Sequence, residues 1–240
     1  MKTISILILL LLGSYTLCFG FESDSLQTEQ GQLIITFIGH GTLYFQFQDK
    51  VVHVDPWTRL ADYKDLPKAD LILITHHHGD HLDTRAVEQI RKENTQIVMS
   101  ELCSSKVDGI VMHNGDEKSV QGFSIKAVPA YNIKHMRDNN TPYHPKGDGN
   151  GYVITFADLD VYVAGDTENV PEMAELKDQI EIAFLPMNLP YTMTPQMAAD
   201  AARSFSPDIL YPYHYGDTDA TILVDLLKDT SMDVRIRDMQ

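Results

Sequence analysis

Cysteine is scarce in this chain: two occur in 240 residues, Cys18 and Cys103. The first lies in a stretch of different character. Residues 1–20 open on Met1-Lys2, run through an apolar core from Ile4 to Leu12 and close on Ser14, Cys18 and Gly20. A short basic start, an apolar run and small residues near a cut site describe a secretory signal peptide. The run is too short to span a bilayer, so no transmembrane span is expected once the signal is removed. Cleavage after Gly20 is the expected processing, and lipid attachment at Cys18 is the rival. Either leads to an exported protein, periplasmic or extracellular, soluble or lipid-anchored. Cleavage leaves Cys103 alone, which excludes an intramolecular disulfide and puts the burden of stability on a packed core. Cys103 itself is expected to be a buried, inert thiol.

Basic residues are also few: 19 Lys and Arg stand against 34 Asp and Glu, for a net charge of −15. Lys2 is the only charge within 1–20, so its loss carries the balance to −16. A surface this acidic repels phosphate backbones, and no Lys/Arg-rich run offsets it, which disfavours nucleic acid as a partner. Also missing are an internal linker, a low-complexity tract and any serine or cysteine nucleophile with a suitable base beside it. One domain is expected, over residues 33–240, preceded by a flexible leader over the polar, aperiodic residues 21–32.

What is present is a histidine cluster. Thr75-His76-His77-His78-Gly79-Asp80-His81 follows directly on the apolar run Leu71 to Ile74. An apolar run that stops at a polar, glycine-containing turn reads as a buried strand ending at a loop. Alternate residues of an extended turn point the same way, so His76 and His78 can grip one ion. Asp80 and His81 then face a second. Imidazole and carboxylate donors suit zinc, iron and similar metals.

The rest of the chain reads as short strands and few helices. Leu33–Ile38, Thr42–Phe47 and Val51–Asp55 form an antiparallel meander with Gly39-His40-Gly41 as one of its turns. A helix is expected over 84–94, where Ala86, Val87 and Ile90 have helical spacing. Strands follow at 96–99, 110–112 and 123–128, with a short helix near Lys106. Residues 130–150 form a long irregular segment, of the kind that is usually functional or disordered. A hairpin over 152–164 ends at Gly165-Asp166-Thr167, and a helix is expected near 170–176. The strand 182–185 leads to a helix that Thr194 caps and Pro195 begins. The strand 209–212 delivers Tyr213-His214-Tyr215, and a helix over 221–227 and a strand over 234–236 close the chain.

The pattern His-x-His-x-Asp-His, the opening Ile38-Gly39-His40-Gly41-Thr42 with Val54-Asp55-Pro56, Gly165-Asp166-Thr167 and the late His214 resemble, in order, the landmarks of the metallo-β-lactamase-fold hydrolases. The resemblance covers the chain from about residue 33 to its end. The Ala130-Tyr131-Asn132 and His144-Pro145-Lys146-Gly147 patterns look like the compact branch near ascorbate-6-phosphate lactonases. It implies an α/β fold, the four-layer αββα sandwich, and a dinuclear centre holding two divalent ions, zinc first, with iron or manganese as alternatives. His76, His78, His144 and Asp166 would hold one ion, and Asp80, His81, Asp166 and His214 the other. For the third histidine of the first ion, His144 is preferred over His135. Asp166 would bridge both ions, and hydroxide held between them would attack a small lactone, ester or phosphodiester. Asp80 is the candidate acid or base. Asp55 either supports the metal loop or merely begins its Asp-Pro turn. His40 is read as a turn residue rather than a ligand. Tyr131, Asn132, Asn188, Tyr191, Tyr213 and Tyr215 are candidate substrate contacts. The alternatives are a di-iron oxidoreductase and a non-catalytic metal-binding scaffold of the same fold.

Overall fold

The computed structural model describes residues 20–137 and 140–240. Of the signal-peptide segment only Gly20 is among them. Two seven-stranded sheets make up the described chain. The first takes its strands in sequence: β1 (Ser23–Thr28), β2 (Gly31–Gly39), β3 (Thr42–Phe47), β4 (Lys50–Val54), β5 (Leu71–Ile74), β6 (Gln96–Met99) and β7 (Ile110–Val111). The second holds β8 (Glu117–Val120), β9 (Phe123–Ala130), β10 (Gly149–Phe156), β11 (Leu159–Val163), β12 (Ile182–Pro186), β13 (Ile209–Tyr213) and β14 (Asp233–Val234). Each sheet begins as an antiparallel meander of four strands and ends as three parallel additions. The two halves therefore share one plan, and the parallel strands aim their C-terminal ends in the way that α/β proteins use for chemistry.

Burial on both faces explains the apolar run of β5. Leu71 and Leu73 point into the core between the sheets, whereas Ile72 and Ile74 point outward. There they meet Ala86, Val87 and Ile90 of helix α1 (Thr84–Ile90). A strand covered on both sides carries no polar alternation. Truncating Leu71 or Leu73 to alanine should cost about 2–5 kcal/mol. On the far side, α2 (Pro195–Phe205) lays Met197, Ala198, Ala201, Ala202 and Phe205 into the core, beside Leu223 and Leu227 of α3 (Thr221–Leu227). The Thr194 hydroxyl accepts from Met197 N at 3.1 Å, and Ser206 ends α2 in the left-handed region. Helix, sheet, sheet, helix is the four-layer arrangement that the resemblance implies.

Several elements differ from expectation. Residues 21–32 are not a flexible leader: Ser23–Thr28 pair along their whole length with Gly31–Thr36 of β2. The Asp24 carboxylate pins that edge strand, accepting from Arg237 at 2.7 Å and from the Tyr211 hydroxyl at 2.5 Å. Helix α1 stops at Ile90, because Arg91 turns extended and Lys92 N donates to Thr95 Oγ1 at 2.9 Å. The segments 101–105 and 171–176 are 3-10 turns, and Glu117–Val120 is an additional strand. Cys103 is buried beside Ser100, as expected of an inert thiol, and burial raises its pKa to about 11.

Candidate metal centre

Five strand ends and one long loop converge on a single point. The metal loop 75–81 leaves β5, and beneath it the sheets are tied together. Asn150 N donates to Thr75 O at 2.9 Å, and the Tyr152 hydroxyl donates to Ile74 O at 2.9 Å. Asp55, directly after β4, fixes the loop from behind. Its Oδ1 accepts from Thr75 N at 2.8 Å; its Oδ2 accepts from Thr75 Oγ1 at 2.6 Å and lies 2.8 Å from His81 Nδ1. Asp55 is wholly buried, so of its two readings the supporting one holds. Because the Thr75 hydroxyl gives its proton to Asp55, it accepts from His76 Nδ1 at 3.0 Å. Both histidines are thereby oriented with Nε2 turned towards the cluster, the nitrogen that a metal would bind.

The same device recurs around the centre. His144 Nδ1 lies 2.8 Å from Asn132 Oδ1, which also accepts from His144 N at 2.8 Å. His144 Nε2 is left without a partner, as are His81 Nε2, His214 Nε2 and Asp166 Oδ1, all buried. Buried polar atoms are almost always satisfied, so four orphans facing one another mark a place for a cation. Asp166 divides its oxygens between two sets. Oδ2 lies 3.3 Å from His144 Nε2 and 3.9 Å from His76 Nε2, whereas Oδ1 lies 3.5 Å from both His81 Nε2 and His214 Nε2. His78 Nδ1 stands 3.0 Å from His76 Nε2, and Asp80 Oδ2 lies 3.8 and 4.0 Å from His81 and His214 Nε2. The residues that could hold one ion are His76, His78 and His144; those that could hold a second are Asp80, His81 and His214, with Asp166 between them.

Electrostatics follow from burial among like groups. Burial first, and then neighbouring imidazoles, push His76 and His214 well below the usual histidine range, His78 to about 4 and His144 to about 3. Neutral imidazoles are what a metal needs. His81 runs the other way: burial opposes its charge, but Asp166, Asp55 and Asp80 raise it to about 10. Burial lifts Asp166 to about 6. With three carboxylates around it, the His81 proton occupies the place of a cation that a metal would take over.

Two residues matter more than their sequence context indicates. His40 joins the second set, its Nε2 3.1 Å from Asp80 Oδ2 and its ring 3.7 Å from that of His214. It adopts φ 52°, and Asp55 and His214 also sit in the left-handed region, at 45° and 48°. Strained backbone of this kind collects at functional sites. His40 O accepts from His214 N at 2.9 Å, which locks the two turns together. Gly41 permits the approach, since a Cβ there would meet His81 Cε1 at 2.8 Å. The second is Glu168, whose buried carboxylate accepts from three successive backbone amides, Ile133 at 2.8 Å and Lys134 and His135 at 2.7 Å. It thereby folds the loop that carries Asn132 and His144. No local motif singles Glu168 out; its position directly after Gly165-Asp166-Thr167 was the available signal.

Other expectations are redistributed. His135 stands away from the cluster, with Nδ1 2.7 Å from Glu168 Oε1. A cleft of about 510 Å3 opens over the centre, and Asn188 and Tyr191 line it. Tyr131, Asn132, Tyr213 and Tyr215 do not. The Tyr131 hydroxyl donates to Glu172 at 3.0 Å, and Asn132 supports His144. The Tyr213 hydroxyl accepts from Gly165 N at 2.8 Å, and that of Tyr215 donates to Arg237 O at 2.7 Å. Tyr131, Tyr213 and Tyr215 are braces, because a rigid ring with one polar tip suits a buried corner.

Comparison with known proteins agrees with this geometry. The model of the beta-lactamase superfamily domain matches residues 34–214. A UPF0173 metal-dependent hydrolase of Thermococcus kodakarensis is 31% identical over 195 residues, 75% of this chain and 84% of that protein. A crystallised Parabacteroides distasonis protein, proposed to be a metal-dependent hydrolase, shares 52% identity at a TM-score of 0.88, over 92% of this chain and all (100%) of that one. CmlA, a diiron beta-hydroxylase of Streptomyces venezuelae, has the same fold at 17% identity and a TM-score of 0.66, over 86% of this chain and 53% of that one. The chain belongs to the beta-lactamase superfamily, among the UPF0173 metal-dependent hydrolases, and is a hydrolase of that fold.

Proposed function

We propose that the centre holds two divalent ions, zinc first, and hydrolyses a small lactone, ester or phosphodiester. The observation that carries this is the convergence of His81 Nε2, His144 Nε2, His214 Nε2 and Asp166 Oδ1, buried and unpartnered, on one point. His76, His78, His144 and Asp166 hold the first ion; Asp80, His81, Asp166 and His214 hold the second. Bound there, the ions would bring a water molecule's pKa towards neutrality and polarise the oxygen of the substrate.

The protein's own groups do the remaining work. Asp80 faces the cleft, and its side chain is 34% exposed, the most open of the proposed ligands that form ion pairs with Asp166's neighbours. Burial opposes its charge, but the His40 hydrogen bond and the charge of His81 hold its carboxyl well below the usual range. It therefore begins as a proton acceptor. As the water oxygen bonds to the acyl carbon or phosphorus, its proton passes to Asp80 and then to the leaving oxygen, whose bond to that centre breaks. Asn188 Nδ2, 3.4 Å from His214 Nδ1, and Tyr191 bound the space where the substrate lies. We also read residues 1–20 as an export signal. Phe21 packs on the outer core and Glu22 O accepts from Phe37 N, so cleavage after Gly20 leaves the domain whole.

Turnover of bis(4-nitrophenyl) phosphate and of a simple lactone tests the activity. The expected result is hydrolysis by zinc-loaded protein, its loss on chelation, and its return with zinc. Turnover that survives complete removal of metal would overturn the reading.

A further inference from the structure

The cleft wall carries one lysine or arginine among the described residues, Arg137. Its guanidinium meets only neutral acceptors, Tyr143 O at 3.2 Å and His78 Nε2 at 3.3 Å. Among the described residues no carboxylate pairs with it. What sets it apart is its place, since among the described residues no other lysine or arginine lines the cleft. The group sits over the Tyr143 ring at 5.6 Å, which holds it at the mouth.

The two loops that bring Arg137, Asn188 and Tyr191 to the cleft also expose apolar side chains. Among the described residues seven large apolar side chains are exposed, and four of them lie on those two loops: Ile133 at 45%, Met136 at 37%, Leu189 at 47% and Tyr191 at 44%, of which Tyr191 lines the cleft itself. The loops are joined there, since Asn132 Nδ2 donates to Tyr191 O at 2.9 Å and the Tyr143 and Tyr191 rings meet edge to face at 5.1 Å. Exposed apolar groups gathered at a cleft, rather than scattered, mark a binding surface. An unpaired cation beside such side chains fits one chemistry.

We infer that the substrate is an anionic amphiphile, whose carboxylate or phosphate pairs with Arg137 while an apolar chain lies across Ile133, Met136, Leu189 and Tyr191. This rests on the hydrolase reading for the bond that is cut, but the recognition it describes does not need metal. A guanidinium suits either anion, because its fork donates two parallel hydrogen bonds.

Calorimetric titration of the mature protein separates the parts. The ligands are octyl phosphate and octanoate, each against its head group alone, inorganic phosphate and acetate, and against octanol. At least one octyl anion should bind about tenfold or more tighter than its head group, and tighter than octanol. Arg137→Ala should weaken that anion by about tenfold or more, the loss expected for a charge-assisted pair, and Arg137→Lys should recover part of it. Leu189→Ser should lower the gain from the chain and leave the head group's binding alone. Melting temperature should not move in any variant, and zinc content should not move in Leu189→Ser. Equal affinity with and without the octyl chain, or an unchanged affinity in Arg137→Ala, would overturn the inference. An added finding that the rim is shielded in a dimer would assign the apolar surface to a second copy instead. The same titrations on metal-stripped protein keep this outcome apart from that of the metal reading: octyl selectivity that depends on Arg137 without metal supports the inference even if zinc never binds.

Discussion

Exchanging Glu168 for glutamine removes one negative oxygen from a site built for two. Oε2 accepts from the amides of Ile133 and Lys134, and Oε1 from His135 N at 2.7 Å and Asn132 Nδ2 at 3.3 Å. Burial works against the charge, yet those amides keep the carboxyl below the usual glutamate range. A glutamine oxygen can serve one pair of donors, but its NH2 then confronts the other pair. Two part-buried donors are left without an acceptor, at about 1–3 kcal/mol each if water cannot reach them, so up to about 2–6 kcal/mol in all. The cost falls on the loop that sets Asn132 and His144. Hydrogen exchange should therefore quicken over 131–144, and the first ion should bind at least about tenfold more weakly. Glu172→Gln is the control: its carboxylate pairs with Lys146 at 2.6 Å on the surface, and the exchange should cost under about 1 kcal/mol. Unchanged exchange over 131–144, with full metal affinity in Glu168→Gln, would refute the reasoning.

Asp55→Asn places an amide where Oδ2 receives both Thr75 Oγ1 and His81 Nδ1. The second ion should bind about 10–100-fold more weakly, measured by competition with a zinc chelator, while the fold persists by circular dichroism. Asp80→Asn should lower turnover by tenfold or more; full activity with full metal content would remove Asp80 from the chemistry. The stability of the protein should also fall with acid through His53, which burial holds neutral with a pKa near 4, its Nε2 bound to Pro67 O at 2.9 Å. Its folded pKa lies below the unfolded value of about 6.5, so from pH 6.5 downward the unfolded chain takes up a proton that the folded one excludes. Stability is lost between about pH 6.5 and 4, by up to about 3 kcal/mol. Denaturant titrations of wild type and His53→Gln across that range should differ in slope against pH.

Much of this was legible because local chemistry and global role coincide. The run Leu71 to Ile74 reads as a strand buried on both faces, and the polar residues after it have no reason to follow such a strand except chemistry. Thr194-Pro195 and the spacing of Met197, Ala198, Ala201 and Phe205 announce α2. His144 rather than His135 enters the cluster because Asn132 captures its Nδ1, a contact across 12 residues that spacing only suggests. What was not legible depends on distant partners. Ser23–Thr28 looks like a solvated tail, and becomes a strand because Asp24 meets Arg237, 213 residues away. Glu168 is an ordinary acidic residue until three amides turn towards it. Tyr131, Tyr213 and Tyr215 were read as cleft residues from their nearness to ligands in sequence, but their hydroxyls are committed to internal bonds. His40 was undervalued because a left-handed turn residue gives no sign, in sequence, of lying on His214.

Metal content of the protein lacking residues 1–20 and any tag, beside a His214→Ala variant, tests the dinuclear centre most directly. The expected result is about two equivalents of metal in the parent and about one in the variant, which removes one of the unpartnered Nε2 atoms on the second set. Less than half an equivalent in the parent, not restored by added zinc, iron or manganese, would contradict it.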